Sequence, residues 1–527
     1  MARNSKVIIA KNIKLDRNYT NVLNYTEQQM LDLVNTNKVA ESLNCSFIRQ
    51  TGTISTPFSY SQCLQSNYIA FQNPDYDNKW FFGWIDDVVY KSNGTGEIKF
   101  TIDIFSTWFN KLTLNPVNVI REHVNDDTIG LHTINENLSV GEVVQEDFER
   151  LLPLKNTGEN IPYDSLYNFV FVIETTHEPL LDTDYNGICI RNSNLTGCYT
   201  FYFEINTNTY NNILHFLNAM NLQSKINSIL NIYIAHKNIV SNMNKIKRGD
   251  YSVNGYEYYE LLNTDESINV PATIQKKTSF SGLTIKNNKC FVYPYNYILI
   301  SNNVGNQLLL KYEDFKQANP IVEIEMALSI GCSIRLVPRE YKNIDRNIDE
   351  SIPLGKFPTC AWASDSFINW ITGNGVNIGT AIYNAVKSFS TGDVVTGAEK
   401  VGAILGAFIG ADLLPSISGG NNSGDVNFSA MENCFDVHYM RAKDEYIKII
   451  DDYFTKFGYL VNSLKVPNVT GRTYWNYVSI NKGDIVGFGE IPSTALDQIN
   501  EIFYKGVTIW HNHANIGNYS LNNTIVS

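Results

Sequence analysis

Trp80-Phe81-Phe82-Gly83-Trp84-Ile85-Asp86-Asp87-Val88-Val89-Tyr90 runs into a turn at Lys91 to Gly96, and Glu97-Ile98-Lys99-Phe100-Thr101-Ile102-Asp103-Ile104-Phe105 leads out of it. Both arms are rich in aromatic and β-branched residues, which fit a pleated, half-buried surface. Asn93-Gly94 between them is hairpin-turn chemistry, and Ile98, Phe100, Ile102 and Ile104 alternate with polar neighbours. The stretch reads as a β-hairpin with one face buried and the other wet. Strand-like runs surround it from Thr51 to Trp108.

A second strand-rich block runs from Phe280 to Arg339, with Cys290 to Ile300, Gln307 to Tyr312 and Ile321 to Val337 as its clearest members. The insertion between the blocks begins with strands at Tyr167 to Glu174 and Tyr199 to Ile205. From Thr209 to Lys247, Ile213, Phe216, Leu217, Met220, Ile226, Ile229, Leu230, Tyr233 and Ile234 recur at three and four residue intervals, which predicts a helical hairpin. Met431 to Leu460 reads as a helix with Ile447, Ile450, Phe454 and Phe457 on one stripe. Another is expected from Ser493 or Thr494, with a capping-box-like contact to Asp497 and an end at Gly506.

A chain of 527 residues exceeds one compact core. Its net charge of −12 argues against a protein that grips nucleic acid through a basic patch, while leaving nucleic acid open as cargo. Near the N-terminus the only apolar run is Val7 to Ala10, too short for a signal peptide, so no Sec export is expected. Cys45, Cys63, Cys189, Cys198, Cys290, Cys332, Cys360 and Cys434 show no C-x-x-C spacing, and free buried thiols are expected.

The unusual segment lies late in the chain. From Ser366 to Val386 no residue of 21 is charged, a length that crosses a bilayer core as a helix, but Asn369, Asn374, Asn377 and Asn384 with Gly373, Gly375 and Gly379 make it a poor permanent span. Val401 to Ala411 then places Gly402, Gly406 and Gly410 four residues apart, with Ala403, Ala407 and Ala411 one step on. On a helix these make a small-residue stripe by which helices associate in lipid, leaving Ile404, Leu405, Phe408, Ile409, Leu413 and Leu414 to face acyl chains. Eleven of the 33 glycines fall between Gly373 and Gly424, so the segment changes conformation at low cost. Phe367 to Leu414 is therefore expected to be a glycine-rich hydrophobic hairpin that enters a bilayer. A buried glycine-rich helix is the competing reading, and the run bounded by Lys400 and Asp412 is too short to span alone.

Local catalytic signatures fail. Asp182, Asp184, Asn186 and Gly187 open like a calcium loop, but its twelfth position is Ser193 where a bidentate Glu is needed. His511 and His513 lack a third ligand. There is no dinucleotide fingerprint, Walker lysine, G-x-S-x-G elbow or H-E-x-x-H, and the adjacent acids Asp86 with Asp87 and Asp451 with Asp452 diverge on a strand or helix. No enzyme, cofactor or metal is expected.

The runs Trp80 to Ile85 and Phe100 to Trp108 resemble the N-terminal tube hairpin of the tail-knob proteins, which form the distal tail tube of small podoviruses of the Picovirinae kind. Tyr474-Trp475-Asn476-Tyr477-Val478, then Gly489 to Pro492, and Gly506-Val507-Thr508-Ile509-Trp510-His511 extend the resemblance to the other end of the chain. It implies a mainly β fold with α insertions, in which tail-tube-like β-barrel domains form a hexameric tube and carry a glycine-rich hydrophobic loop. The implied division is a first tube β domain (1–125), a β plus helical insertion (126–280), a second tube β domain (281–360), a membrane-active loop (361–430), and C-terminal helices and strands completing the tube (431–527).

The implied partners are a homo-hexamer, the lower collar or proximal tail proteins of the virion, host membrane lipid, and genomic DNA as passing cargo. The implied location is the tail tip of a virion, after synthesis in the host cytoplasm. The loops would plug the tube, then emerge and perforate the host membrane, with Phe367, Ile368, Trp370, Ile371 and Ile378 joining the second-arm residues above as the membrane-active set. A soluble pore-forming toxin and a receptor- or glycan-binding surface module are the other classes the sequence admits.

Overall fold

A computed structural model describes residues 5–48, 51–151, 169–175, 199–204, 229–241, 243–261, 268–302, 305–327, 333–356, 359–361, 435–482 and 491–526, with isolated residues between 206 and 220. The chain divides into two compact units. The first comprises Met1–Glu142, Thr278–Tyr295 and Ala442–Ser527; the second comprises Val143–Lys277 and Asn296–Arg441.

The opening hairpin forms in the first unit as strands Trp80–Ser92 and Thr95–Ile102, joined through Asn93-Gly94. The hairpin belongs to a closed antiparallel barrel, ordered Ser5–Ala10, Lys38–Ile48, Thr53–Thr56, Thr95–Ile102, Trp80–Ser92 and Tyr68–Gln72, which returns to Ser5–Ala10. Closure satisfies the backbone groups that an open sheet leaves at its edges. Gly83 sits where a Cβ would come within 2.6 Å of the Thr101 carbonyl oxygen, so the tight pairing of the two arms requires glycine there. The second arm stops two residues short of the Ile104 expected on its buried face. Asp103 ends it by capping helix Ile104–Trp108, accepting from Ser106 N at 3.1 Å and from the Tyr68 hydroxyl at 2.7 Å.

The apolar run Val7 to Ala10 is explained by burial on both faces. Val7 and Ile9 join Cys45, Ile54, Ile69, Phe71, Ile98 and Phe100 in one core cluster. Ile8 and Ala10 join Tyr68, Ala70, Phe82, Trp84, Trp475 and Trp510 in another. Period-two alternation divides each such strand between two cores. The Trp475 and Trp510 rings come from a second sheet, ordered Asn21–Leu23, Val507–Trp510, Trp475–Ile480, Val117–Glu122 and Tyr459–Lys465. Its parallel pairing of Asn21–Leu23 with Val507–Trp510 ties the two ends of the chain together.

Gly94 adopts φ +88°, and a Cβ added there would meet nothing within 4 Å, so Gly94→Ala incurs only backbone strain. It is expected to cost about 1 kcal/mol, read as a lowered urea midpoint with an unchanged slope.

In the second unit a six-stranded sheet runs Lys245–Arg248, Tyr258–Leu261, Tyr199–Glu204, Phe169–Thr175, Ile229–His236, Thr359–Ala361. The second strand-rich block does not stay together. Asn296–Ser301 and Gln307–Leu310 enter a four-stranded sheet with Phe435–Ala442 and Val143–Leu151, whereas Ile321–Ala327 and Ser333–Tyr341 pair in a five-stranded sheet containing Ile268–Thr273.

Two helical expectations are corrected. Ile229–His236 is a strand aligned with Phe169–Thr175, and Lys245–Arg248 is another, so the helical hairpin over Thr209 to Lys247 does not form as expected. The run Ile229-Leu230-Asn231-Ile232 is apolar at both periods, and a neighbouring strand decides between them. The helix expected from Met431 to Leu460 is shorter, Asp444–Phe457, flanked by strands Phe435–Ala442 and Tyr459–Lys465. Phe435, Val437 and Tyr439 alternate as a strand face, a signal overrun by the helical stripe that follows. Helix Ser493–Lys505 begins and ends where expected, but no side-chain hydrogen bond caps its start.

Cys45, Cys63 and Cys290 are free and buried. A polar cluster joins distant segments inside the first unit. Glu136 is fully buried, pairs with both Arg121 and Lys289, and accepts Leu460 N at 2.9 Å. Beside it, His123 Nδ1 accepts from Tyr477 N at 2.8 Å, which leaves its Nε2–H to donate to the Thr455 carbonyl at 3.1 Å. Burial first, then the charges of Arg472 and Arg121, push the imidazole pKa down to about 3.

A histidine depressed in the folded state binds its proton only in the unfolded chain between these values. Its contribution is complete above about pH 6.5 and is lost at about 1.4 kcal/mol per unit as pH falls toward 3. Against this background, His123→Gln is expected to flatten the acid limb of unfolding free energy versus pH by one proton's slope. An unchanged limb would show that His123 does not set it.

Candidate functional site

The residues expected to act on membranes, Phe367, Ile368, Trp370, Ile371, Ile378, Gly402, Ile404, Leu405, Gly406, Phe408, Ile409, Gly410, Leu413 and Leu414, lie outside the described residues. So do Asp182 and Asp184. The structure does place the two strands from which that segment departs and to which it returns, both in the second unit.

On the departing side, Thr359–Ala361 is the last strand of the six-stranded sheet. It is antiparallel to Ile229–His236, with Asn231 opposite Ala361, Ile232 opposite Cys360 and Tyr233 opposite Thr359. It is short, three residues, and among the described residues it pairs with one neighbour.

The returning strand, Phe435–Ala442, is held on both sides. Along one edge it pairs residue for residue with Asn296–Ser301, from Asn296 opposite Arg441 to Ser301 opposite Asp436. Phe435, Val437, Tyr439, Ile298 and Ile300 are buried. Along the other edge lies Val143–Leu151, fastened by a ladder of polar side chains. The Arg150 guanidinium donates to both Asp436 oxygens, at 2.9 and 3.3 Å, and Arg441 pairs with Glu146. His438 bonds Gln145 at 2.8 Å, and the Tyr439 hydroxyl donates to Glu149 at 2.9 Å while accepting Gln275 N at 3.2 Å.

Bidentate guanidinium pairing fixes direction as well as distance. Burial raises the Tyr439 phenol above its ordinary pKa, so the hydroxyl stays a donor. The arrangement makes a fixed post at one end of residues 362–434. It performs no bond chemistry. The ladder is not legible in the sequence, because its partners are separated by almost three hundred positions and the helical stripe that follows masks the strand.

Other candidates are accounted for by local bonding. His511 Nε2 lies 3.1 Å from Asn476 Oδ1, and His513 Nε2 accepts from Lys14 N at 3.0 Å, so the two rings serve different neighbours. Asp86 sits at a strand irregularity, bonded by Thr101 and paired with Arg17 at 2.7 Å. Asp451 is buried against Asn287 while Asp452 is exposed. Among the described residues no group of three or more His, Cys, Asp or Glu is placed to hold a metal, and no helix is long and apolar enough to cross a membrane.

Residues 262–434 and 414–524 match the family model for the C-terminal domain of the tail knob protein gp9 of Bacillus phage phi29, and residues 3–113 match that for the N-terminus of the caudoviral major tail protein. The gp9 tail knob protein of phage phi29 is 23% identical to this chain over 549 residues, covering 90% of each. That of Bacillus phage PZA is 24% identical over 551 residues, again 90% of each. Among solved structures, the tail knob protein gp12 of bacteriophage C1 aligns with a TM-score of 0.63 at 15% identity, over 99% of this chain and 100% of that one, a likeness of fold. With the amino-terminal barrel inside the match at residues 3–113, the returning strand inside that at 414–524, and relatives that span nine-tenths of the chain, the chain belongs to the tail knob proteins of phi29-like podoviruses (Picovirinae), structural components of the phage tail and not enzymes.

Proposed function

We propose that six copies of this chain form the distal tube of the tail, that genomic DNA leaves through it, and that residues 366–424 of each copy plug the tube and then perforate the host membrane. The observation that carries the reading is the glycine-rich composition of that segment, with its uncharged runs Ser366 to Val386 and Val401 to Ala411, together with its attachment to a strand clamped on both edges. A segment that leaves one environment for another needs an end that does not follow it. The small-residue stripe at Gly402, Gly406 and Gly410 suits packing among several copies, which answers the shortness of a single apolar arm. The net charge of −12 suits a conduit that must not hold its polyanionic cargo. The tail tip, the collar or proximal tail proteins as neighbours, and synthesis in the host cytoplasm belong to the same proposal.

Electron microscopy of the purified chain tests the tube: hollow cylinders of six subunits in the absence of lipid are expected. Monomers at high concentration that assemble only when liposomes are added would replace this reading with that of a pore-forming protein of the toxin type.

A further inference from the structure

We propose that the first unit carries a binding site for a small oxyanion, a carboxylate or a phosphate, in the cleft between residues 284–288 and the C-terminal residues 522–525. The cleft has a volume of about 370 Å³. That is many times the ~30 Å³ share of a liquid water molecule, so it admits an oxyanion with part of its carrier.

Arg472 supplies the charge. It lines the cleft and is 7% exposed. Its guanidinium donates only to backbone carbonyls, that of Val124 at 3.0 Å and that of Asn523 at 3.4 Å, and among the described residues Nε has no partner and no carboxylate lies within ion-pair distance. A buried cation is costly unless an anion compensates it. Lys286, exposed, adds a second cation to the lining.

Asp127 is the one carboxylate among the lining residues, and its oxygens are engaged elsewhere. Oδ1 accepts from the Tyr459 hydroxyl at 2.6 Å and Oδ2 from Asn288 N at 3.0 Å. Burial raises its pKa, while those hydrogen bonds and the charge of Arg472 oppose the shift. His123, also in the lining, is held neutral first by burial and then by Arg472, as a positive local field requires. A net positive cleft in a chain of charge −12 is selective for anions rather than merely charged.

The walls are set in advance. Asp451 accepts from Lys286 N at 3.1 Å and from Asn287 N at 3.0 Å. On the far side, Asn523 Oδ1 accepts from Tyr474 N at 2.9 Å and its Nδ2 donates to the Trp475 carbonyl at 2.8 Å. An anion entering pays little to order the groups that receive it.

Titration calorimetry on the full chain at pH 7 and low ionic strength, with inorganic phosphate and with succinate in turn and sodium chloride as the control, tests the site. At least one oxyanion is expected to bind beyond chloride, with Kd raised about threefold by Lys286→Gln, as one exposed charge is worth, and binding lost in Arg472→Gln. Preference for phosphate indicates a phosphorylated carrier; preference for succinate indicates an acidic side chain. Absence of binding by both ions overturns the proposal, as does binding that neither substitution weakens. Should Arg472→Gln fail to fold, Lys286→Gln, altered at an exposed position, decides.

Discussion

Removal of residues 366–424 is expected to leave particles that still assemble into tubes but release no dye from liposomes. The deletion ends before the returning strand begins at Phe435, and begins beyond Ala361, so both flanking strands keep their partners in Ile229–His236 and Asn296–Ser301. Nothing described in the barrel or the C-terminal sheet is touched. What is lost is the apolar, glycine-rich length itself. Substitution separates insertion from mere length: Ile404→Asp or Phe408→Asp places an acid where acyl chains are expected, at about 2.5–3.5 kcal/mol each, on the order of a hundredfold in insertion. Leakage undiminished in the deletion would remove the membrane role from this segment. Leakage undiminished in the two aspartate variants would move the inserted surface away from its second arm.

The second large effect is expected at Glu136. Its side chain is fully buried between Arg121 and Lys289, whose side chains are 10% and 2% exposed. Glu136→Ala strands two buried cations with no carboxylate between them. Breaking a buried pair in this way costs about 3–5 kcal/mol, and for a unit of this size that lowers the melting temperature by roughly 10 °C. Lys289 shows the tension directly: burial lowers its pKa and Glu136 opposes that shift. A double substitution, Glu136→Leu with Lys289→Met, removes one charge of each sign and is expected to recover part of the loss. Calorimetry of the three proteins measures this; a melting temperature unmoved in Glu136→Ala would mean that water or rearrangement satisfies the cations.

Both effects depend on how segments far apart in the chain meet. Glu136 collects residues from three of them, Arg121, Lys289 and Leu460, and the post at Phe435–Ala442 joins Asp436 to Arg150. No short pattern announces such a meeting. Arg150 and Asp436 each read as an ordinary solvated charge until a sheet sets them side by side.

The hairpin around Asn93-Gly94 was legible because every signal needed for it is local: β-branched and aromatic residues, a glycine tolerating φ +88°, and alternation matched to the pleat. Helix Ser493–Lys505 was legible for the same reason, its stripe of Ala495, Ile499, Ile502 and Phe503 being complete within itself. The composition of Phe367 to Leu414 also comes from sequence alone. Tertiary structure decided the rest. Ile229–His236 is a strand because Phe169–Thr175 pairs along it, a choice its own apolar residues leave open. Val7 to Ala10 is apolar throughout because one face meets the barrel core and the other meets Trp475 and Trp510, from the opposite end of the chain. Backbone preference and turn chemistry act over a few residues and can be read in order, whereas burial and ion pairing are settled only when the chain has closed on itself.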